Sequence, residues 1–144
     1  MYFEKQRTPD GIDRMFAVNV LDHFLLTNQL LDVLKESRPS RVITVAGNPR
    51  FLKNPKIDLS DIQLENNYSH MRAITHAMFL RISFAFELAR RLEGTGVTAK
   101  VECPIGVYVA TAPEIEKANG AFFDDKQQIL PIHEKFGAKD GSRL

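Results

Sequence analysis

Apolar side chains recur at helical spacing over two long stretches of the chain. The first stretch runs from about residue 11 to about residue 35, and the second from Met71 to about residue 93. The second carries two adjoining apolar stripes, and it ends in Arg90 and Arg91 followed by glycine, as helix C-termini often do. The pattern predicts two long helices, the second of them buried on more than one side.

Short apolar runs rich in β-branched residues follow each predicted helix. Pro39 ends the first helix, because the residue before a proline is pushed out of the helical region, and residues 41–46 then read as a strand. Gly94 and Gly96 end the second helix, and residues 97–101 read as the next strand. The remaining expectations, in chain order, are a loop over 50–68, a short apolar piece over 107–110, a brief helix over 113–118, a short strand over 121–123 and a turn-rich end. Alternation of helix and strand predicts an α/β fold with a parallel sheet and right-handed crossovers.

Composition narrows the class of protein. The chain has 144 residues, of which 44% are hydrophobic and 26% charged, and its net charge is +1. These values indicate a single globular domain, and without a basic stripe they do not favour nucleic-acid binding. Every apolar run is interrupted well before the ~20 residues of a membrane span, and no charged-then-apolar leader opens the chain. We therefore expect a soluble, untargeted chain, with the cytoplasm favoured.

The histidines and the single cysteine do not form a recognisable catalytic or metal-binding pattern. His70 and His76 are six residues apart and His23 follows an aspartate, so none has the spacing of a metal site, and we expect solvated or capping histidines. Cys103 precedes a proline with no His/Asp partner pattern, which favours a buried structural thiol. Gly94 and Gly96 follow a helix and precede a strand, which is the reverse of the order in a dinucleotide-binding turn.

Three segments of the chain resemble the short-chain dehydrogenase/reductases, in particular their retinol-dehydrogenase-like branch. The segments are Thr8–Thr27, Pro39–Val45 and Phe86–Thr98, and they follow one another along the chain in the order the family has them. The resemblance implies an NAD(P)-dependent oxidoreductase fold with a Rossmann-like, doubly wound parallel sheet flanked by helices. It also implies that residues 1–144 form a single incomplete domain, the C-terminal half only. The nucleotide-binding half and the substrate-covering segment near residue 104 are expected to be absent.

The same resemblance assigns four catalytic positions. In the family a Tyr transfers the proton, and a Lys follows it one helical turn later. Because residues four apart share a face of the helix, the ammonium of the Lys can lower the pKa of the phenol. Those positions hold Ile74 and Met78 here, and the position of the substrate-binding Ser holds Gly47. Only the helix Asn is retained, as Asn19. Thr75 and His76 lie beside the lost Tyr, but each helical step of about 100° turns them away from its face.

Three functions are consistent with these residues. The first is a non-catalytic member of the family, with no cofactor expected in this chain. The second is an interaction module that forms a homo-oligomer or binds a partner chain through helices 11–36 and 71–93, where Phe79, Ile82 and Phe86 would leave an apolar face. The third is a working NAD(P)-dependent oxidoreductase. In all three the strand 41–46 is expected at an open sheet edge, which favours aggregation or strand pairing.

Overall fold

The computed structural model describes residues 4–47, 57–102, 106–124 and 126–130. Helices and strands alternate over these ranges as the sequence predicts. The elements are α1 (Arg14–Phe16), a π-helical turn (Ala17–Leu21), α2 (Asp22–Glu36), β1 (Ser40–Val45), a 3₁₀ turn (Leu59–Asp61), α3 (His70–Arg91), β2 (Val97–Glu102), α4 (Gly106–Thr111), a 3₁₀ turn (Pro113–Ile115), β3 (Ala121–Phe123) and β4 (Ile129–Leu130).

The first long helix begins at Arg14, slightly later than the sequence predicts. Asp13 caps it, since its carboxylate accepts a hydrogen bond from the backbone N–H of Phe16 at 2.9 Å. Residues before the cap form a turn in which Thr8 and Ile12 exchange hydrogen bonds and Gly11 has a φ of +83°. The helix then continues through the π-helical turn into α2.

The second long helix, α3, is confirmed at both ends. Ser69 caps it by accepting a hydrogen bond from the N–H of Arg72 at 3.2 Å. Near its end Glu87 forms ion pairs with Arg90 at 2.8 Å and Arg91 at 2.7 Å. These arginines, Arg90 foremost, lower the pKa of Glu87 to about 2.

The four strands lie in the order β1-β2-β3-β4. β1 pairs in parallel with β2, and β2 in parallel with β3, which confirms the predicted α/β class and partial Rossmann-like sheet. β4 pairs antiparallel with β3, and the sequence did not predict it because its residues fall in a turn-rich segment. The predicted apolar piece over 107–110 lies in α4, and the brief helix at 113 is a single 3₁₀ turn. Cys103 and residues 131–144 lie outside the described ranges.

Helices α2 and α3 cover one face of the sheet, and α4 covers the other. On the first face, α3 packs against even-numbered residues of β1 and odd-numbered residues of β2, with Ile82 fully buried at the centre. On the second face, residues from α4 to Ile115 pack against β3 and against Ile43 of β1. The core therefore consists of two apolar layers separated by one sheet.

Among the described residues, α2 exposes the largest group of apolar side chains, and the sequence-based prediction of an uncovered apolar face at Phe79, Ile82 and Phe86 of α3 is wrong. Phe79 and Ile82 are buried, and Phe86 is partly buried against the same core. The pattern did not distinguish these residues from a docking face because α3 is apolar on two sides. One side packs on the sheet, and the other packs against the first helix, where the rings of Phe24 and Phe84 meet edge to face. The large apolar side chains that α2 exposes are 44–58% accessible: Phe24, Leu25, Leu26, Leu30 and Val33.

Strand β1 is the first strand of the described sheet and has no neighbour on its outer side within the described residues. This confirms the expectation that strand 41–46 forms an edge. Over those same ranges, no helix combines the length and apolarity that a membrane crossing requires.

Candidate functional site

The C-terminal end of β1 places Ala46 and Gly47 against helix α3. Ala46 is buried and continues the sheet, donating its N–H to the carbonyl of Glu102 at 2.8 Å. Gly47 follows directly, and a Cβ added there would lie 2.7 Å from the Sδ atom of Met78. The structure therefore places Gly47 beside the thioether of Met78, the two residues expected at the Ser and Lys positions.

Ile74 and Met78, where the resemblance would place the Tyr and the Lys, lie one turn apart in α3. Both are half-buried, and Met78 packs against the core cluster that includes Ala46. Helical geometry puts Ile74 on the same face as Met78. The site is thus an apolar surface over the end of β1.

Asn19, the retained family position, lies in the π-helical turn, which packs against α3. Its Nδ2 donates a hydrogen bond to the carbonyl of Met15 at 3.0 Å, and Met15 Sδ lies 3.9 Å away. The amide is therefore bonded within its own helix.

A groove of about 590 Å³ runs from this site along β1, between α2 and α3. Its ionisable side chains are His23 and Arg81, whose Nε2 and Nη1 atoms are 3.4 Å apart. Burial and the charge of Arg81 lower the pKa of His23, and burial lowers the pKa of Arg81 itself. The sequence did not predict that His23 and Arg81 meet, because nothing in the local pattern relates two residues so far apart in the chain.

The expectation of solvated or capping histidines is wrong for His76, which is buried. Burial lowers its pKa, and so does the charge of Arg72, whereas Asp58 and Asp61 act in the opposite direction. The neighbouring Thr75 donates a hydrogen bond from its hydroxyl to the carbonyl of Met71, so this hydroxyl is bonded within α3. Over the described ranges no cluster of three His, Cys, Asp or Glu side chains could hold a metal ion.

The described residues do not fit NAD(P). A dinucleotide needs a strand, a glycine-rich turn and a helix N-terminus to hold its pyrophosphate, and the sequence has no such turn. Gly94 and Gly96 adopt positive φ at the end of α3, the wrong end of a helix for an anion. Met78 also lacks the ammonium that contacts the cofactor ribose in the family.

Substitution at Gly47 tests the observed packing. We expect Gly47→Ala to destabilise the protein by at most about 1 kcal/mol, because the new methyl group would overlap the thioether of Met78, a flexible side chain that can turn away. In a Met78→Ala background the same substitution should cost less than about 0.5 kcal/mol, since the sulfur is gone. Urea unfolding of the four proteins gives the coupling energy. Additive effects would show that the two side chains do not meet.

Comparisons with known proteins show which proteins the chain resembles in sequence. No protein-family model matches the chain. Retinol dehydrogenase 14 of Homo sapiens is 32% identical over 87% of the chain and 48% of its own length. Retinol dehydrogenase 13 of Homo sapiens is 40% identical over 95% of the chain and 53% of its own length. For retinol dehydrogenase 12 of Homo sapiens the identity is 44% over 64% of the chain and 28% of the relative. The chain therefore spans about half the length of the first two of these relatives and less than a third of the length of the last.

Solved structures show the same partial overlap. The crystal structure of an uncharacterised protein from Mycobacterium paratuberculosis superposes with a TM-score of 0.63 at 27% identity, over 84% of the chain and 49% of that protein. A structure described as the carbonyl reductase Sniffer of Caenorhabditis elegans, at 19% identity and a TM-score of 0.51, shows likeness of fold alone. Sequence and fold together identify the chain as a homologue of the retinol dehydrogenases in the short-chain dehydrogenase/reductase family.

Proposed function

We propose that this chain is a non-catalytic member of the family, a folded scaffold with no proton-transfer site. The observation that carries the proposal is the contact between Gly47 and Met78. At the point where the family aligns a hydroxyl, a phenol and an ammonium, this chain presents a hydrogen atom, a hydrocarbon and a thioether. None of these groups can donate a proton at neutral pH or polarise a carbonyl.

Neighbouring side chains do not replace the missing groups. Thr75 is bonded to its own helix, and the buried His76 belongs to a different face of α3 from Ile74. His23 and Arg81 lie in the groove along β1, but they are held against each other. Asn19 is engaged with Met15. These contacts support loss of catalysis rather than its transfer to other residues.

The second part of the proposal is that this chain lacks the family's substrate-covering segment. The alignment with retinol dehydrogenase 13 has 177 positions, yet it covers 95% of this 144-residue chain, so roughly 40 of its positions have no residue here. We infer that these gaps include the segment the family places near residue 104. A chain without it has no cover to exclude water from a hydride-transfer site.

Thermal unfolding with NAD(H) or NADP(H) in large excess tests the proposal. A ligand at a hundredfold over its Kd would stabilise the folded state by about 2.7 kcal/mol, which for a domain of this size raises Tm by about 5–10 °C. We expect a cooperative melt and no shift with either nucleotide. A catalytic short-chain dehydrogenase/reductase, scanned in the same buffers, is the positive control. A shift in this chain would contradict the proposal and favour a working oxidoreductase.

An interaction module is the alternative function, and the exposed apolar side chains of α2 favour it. Five large apolar residues on one helix of a small domain form a surface of the kind that usually contacts another protein. This reading is compatible with loss of catalysis, because a scaffold without an active site can still associate. The surface lies on α2, so α3 would contribute little to such a contact.

A further inference from the structure

The turn that leads into β3 carries the one Asn-Gly pair of the sequence. Of the asparagines in the chain, only Asn119 is followed by glycine. Such an asparagine can lose its side-chain amide without an enzyme, because glycine has no Cβ to hinder its nitrogen from reaching the side-chain carbon of the residue before it. Asn119 is exposed to solvent, so water reaches it. The turn therefore holds a side chain that can change chemically.

The fold holds the side chain of Asn119 at both ends. Its Oδ1 accepts a hydrogen bond from the N–H of Ala99 in β2 at 2.9 Å, and its Nδ2 donates one to the carbonyl of Ala89 in α3 at 2.8 Å. Ala89 lies in the last turn of α3, where carbonyl groups lack partners within the helix. One exposed amide thus joins the end of α3 to the sheet.

The nitrogen of Gly120 is held as well. Its N–H donates to the carbonyl of Ala99 at 2.9 Å, so the two backbone groups of Ala99 bind Asn119 and Gly120 in turn. Gly120 has a φ of +67°, whereas a Cβ added there would lie 3.5 Å from the Cβ of Ala89, an ordinary contact. The left-handed backbone, and not lack of space, is why this position favours glycine. The glycine that suits the turn also makes the preceding asparagine reactive.

We propose that Asn119 is a deamidation site that the native fold protects and that local opening between β2 and β3 exposes. In the reaction the nitrogen of Gly120 loses its proton and bonds to Cγ of Asn119, the bond from Cγ to Nδ2 breaks, and ammonia leaves. Water then opens the succinimide ring at either carbonyl, which gives aspartate or isoaspartate. Water is the only co-reactant, and nothing is oxidised or reduced.

Both reacting groups are restrained in the native state. The N–H of Gly120 is bonded to a carbonyl, which opposes the loss of its proton. The amide of Asn119 is anchored in two directions, which opposes the approach of its Cγ to that nitrogen. These three hydrogen bonds must open before the ring can close. The rate of deamidation therefore follows the population of the open state, because opening and closing are fast relative to the chemistry.

The products cannot restore these contacts. An aspartate at this position has two acceptor oxygens and no donor, so an oxygen would face the carbonyl of Ala89 where Nδ2 was bonded. Isoaspartate also inserts a methylene group into the main chain before Gly120, which disturbs the register of Lys100 with Ala121. Deamidation therefore loosens the start of β3 and its link to the end of α3 together.

Peptide mapping by mass spectrometry is the first test, because trypsin releases residues 118–126 as one peptide. Deamidation of Asn119 is followed in the native 144-residue chain, in the same chain unfolded in urea, and in a synthetic peptide of residues 118–126. We expect the unfolded chain to react as fast as the peptide and the native chain to react at least about a hundredfold more slowly. In urea, Gly120→Ala should slow the reaction several-fold, because a Cβ hinders the attacking nitrogen.

A variant that imitates the aspartate product tests the loosening of β3. The N–H of Gly120 bonds to β2, and that of Phe122, two residues further on, points the same way. Asn119→Asp should speed the hydrogen exchange of these two amides at least about tenfold. Circular dichroism and thermal melts show whether the variant folds.

Asn28→Asp is the matched control for that variant. The Nδ2 of Asn28 donates to the carbonyl of Phe24 at 2.7 Å, within α2. This substitution therefore adds the same charge and removes the same kind of donor, but the lost bond does not join two elements. Exchange at Gly120 and Phe122 should stay as in the wild type.

Three results would overturn the proposal. The first is deamidation of Asn119 in the native chain at the rate of the free peptide, and the second is an Asn119 that stays intact in urea. The third is an Asn119→Asp variant whose Gly120 and Phe122 amides exchange no faster than those of Asn28→Asp. A nucleotide-induced shift in Tm would contradict the proposed loss of catalysis and has no bearing on this site.

Discussion

Replacing Ile82 by alanine is expected to lower the free energy of unfolding by about 4 kcal/mol. Its side chain is fully buried at the centre of the cluster that joins α3 to β2 and β3, so truncation removes apolar contacts and leaves a cavity. A domain of this size is stable by only about 5–15 kcal/mol, and the variant should lose about 8–16 °C in Tm. Urea unfolding followed by circular dichroism measures the change.

Two controls on α3 define what that result means. Ile82→Val keeps most of the side chain and should cost about 0.5–1.5 kcal/mol. Met71→Ala alters an exposed residue of the same helix and should be nearly neutral. A loss of less than about 1 kcal/mol in Ile82→Ala would show that α3 does not pack on the sheet through this face.

Replacing Lys100 by methionine is expected to stabilise the protein by about 1–3 kcal/mol at pH 7. Lys100 is fully buried on the α4 side of β2, with its Nζ 2.7 Å from the hydroxyl of Thr98 and 3.4 Å from the carbonyl of Glu116. Burial, and next the charge of Arg41, lowers its pKa to about 8. Folding therefore disfavours the ammonium form, and methionine of similar length removes that cost at the expense of two hydrogen bonds.

The pH dependence of this gain follows from the direction of the pKa change. The folded state loses the Lys100 proton near pH 8 and the unfolded state near 10.5, so the wild-type protein gains stability from this group as pH rises between those values. The advantage of Lys100→Met should thus be largest below pH 8 and disappear by about pH 10.5. Lys117→Met, at an exposed lysine, should show no such trend. Urea unfolding at several pH values measures the difference in free energy of unfolding between the variant and the wild type. A Lys100→Met variant less stable than the wild type at pH 7 would mean that the buried ammonium stabilises the fold.

The α4 side of β2 holds a second buried ionisable group. Glu102 is almost fully inaccessible, and among the described residues neither of its carboxylate oxygens has a hydrogen-bond partner. Burial raises its pKa, so the folded state favours the protonated form of Glu102. Together with Lys100 it makes β2 a strand with ionisable groups inside, in a position where parallel strands are usually apolar on both faces.

Much of the fold could be predicted from the sequence because it depends on neighbours along the chain. The cap at Ser69, the arginines at 90 and 91 and the glycines at 94 and 96 determine where α3 begins and ends. The proline at 39 separates the first helix from β1. The first helix was placed about three residues early, because Asp10 and Gly11 read as a helix start although they form a turn.

The candidate site was predictable in its residues but not in its contacts. Aligning the family's motif onto this chain gives Asn19, Gly47, Ile74 and Met78 without any coordinates. That the thioether of Met78 occupies the space beside Gly47 follows only from how α3 lies across the end of β1. The buried state of His76 was missed for the same reason, since a histidine on a helix can face either the core or water.

By itself the sequence determined the fold class, the two long helices, the three parallel strands and the identity of the side chains at the expected site. These are properties of local periodicity, capping and residue identity. The tertiary structure alone decided which helix leaves large apolar side chains exposed and which ionisable groups are buried. Such features depend on pairings between residues distant in the chain, as in α3, which packs one apolar side on the sheet and the other on the first helix while α2 leaves Leu26 and Leu30 exposed.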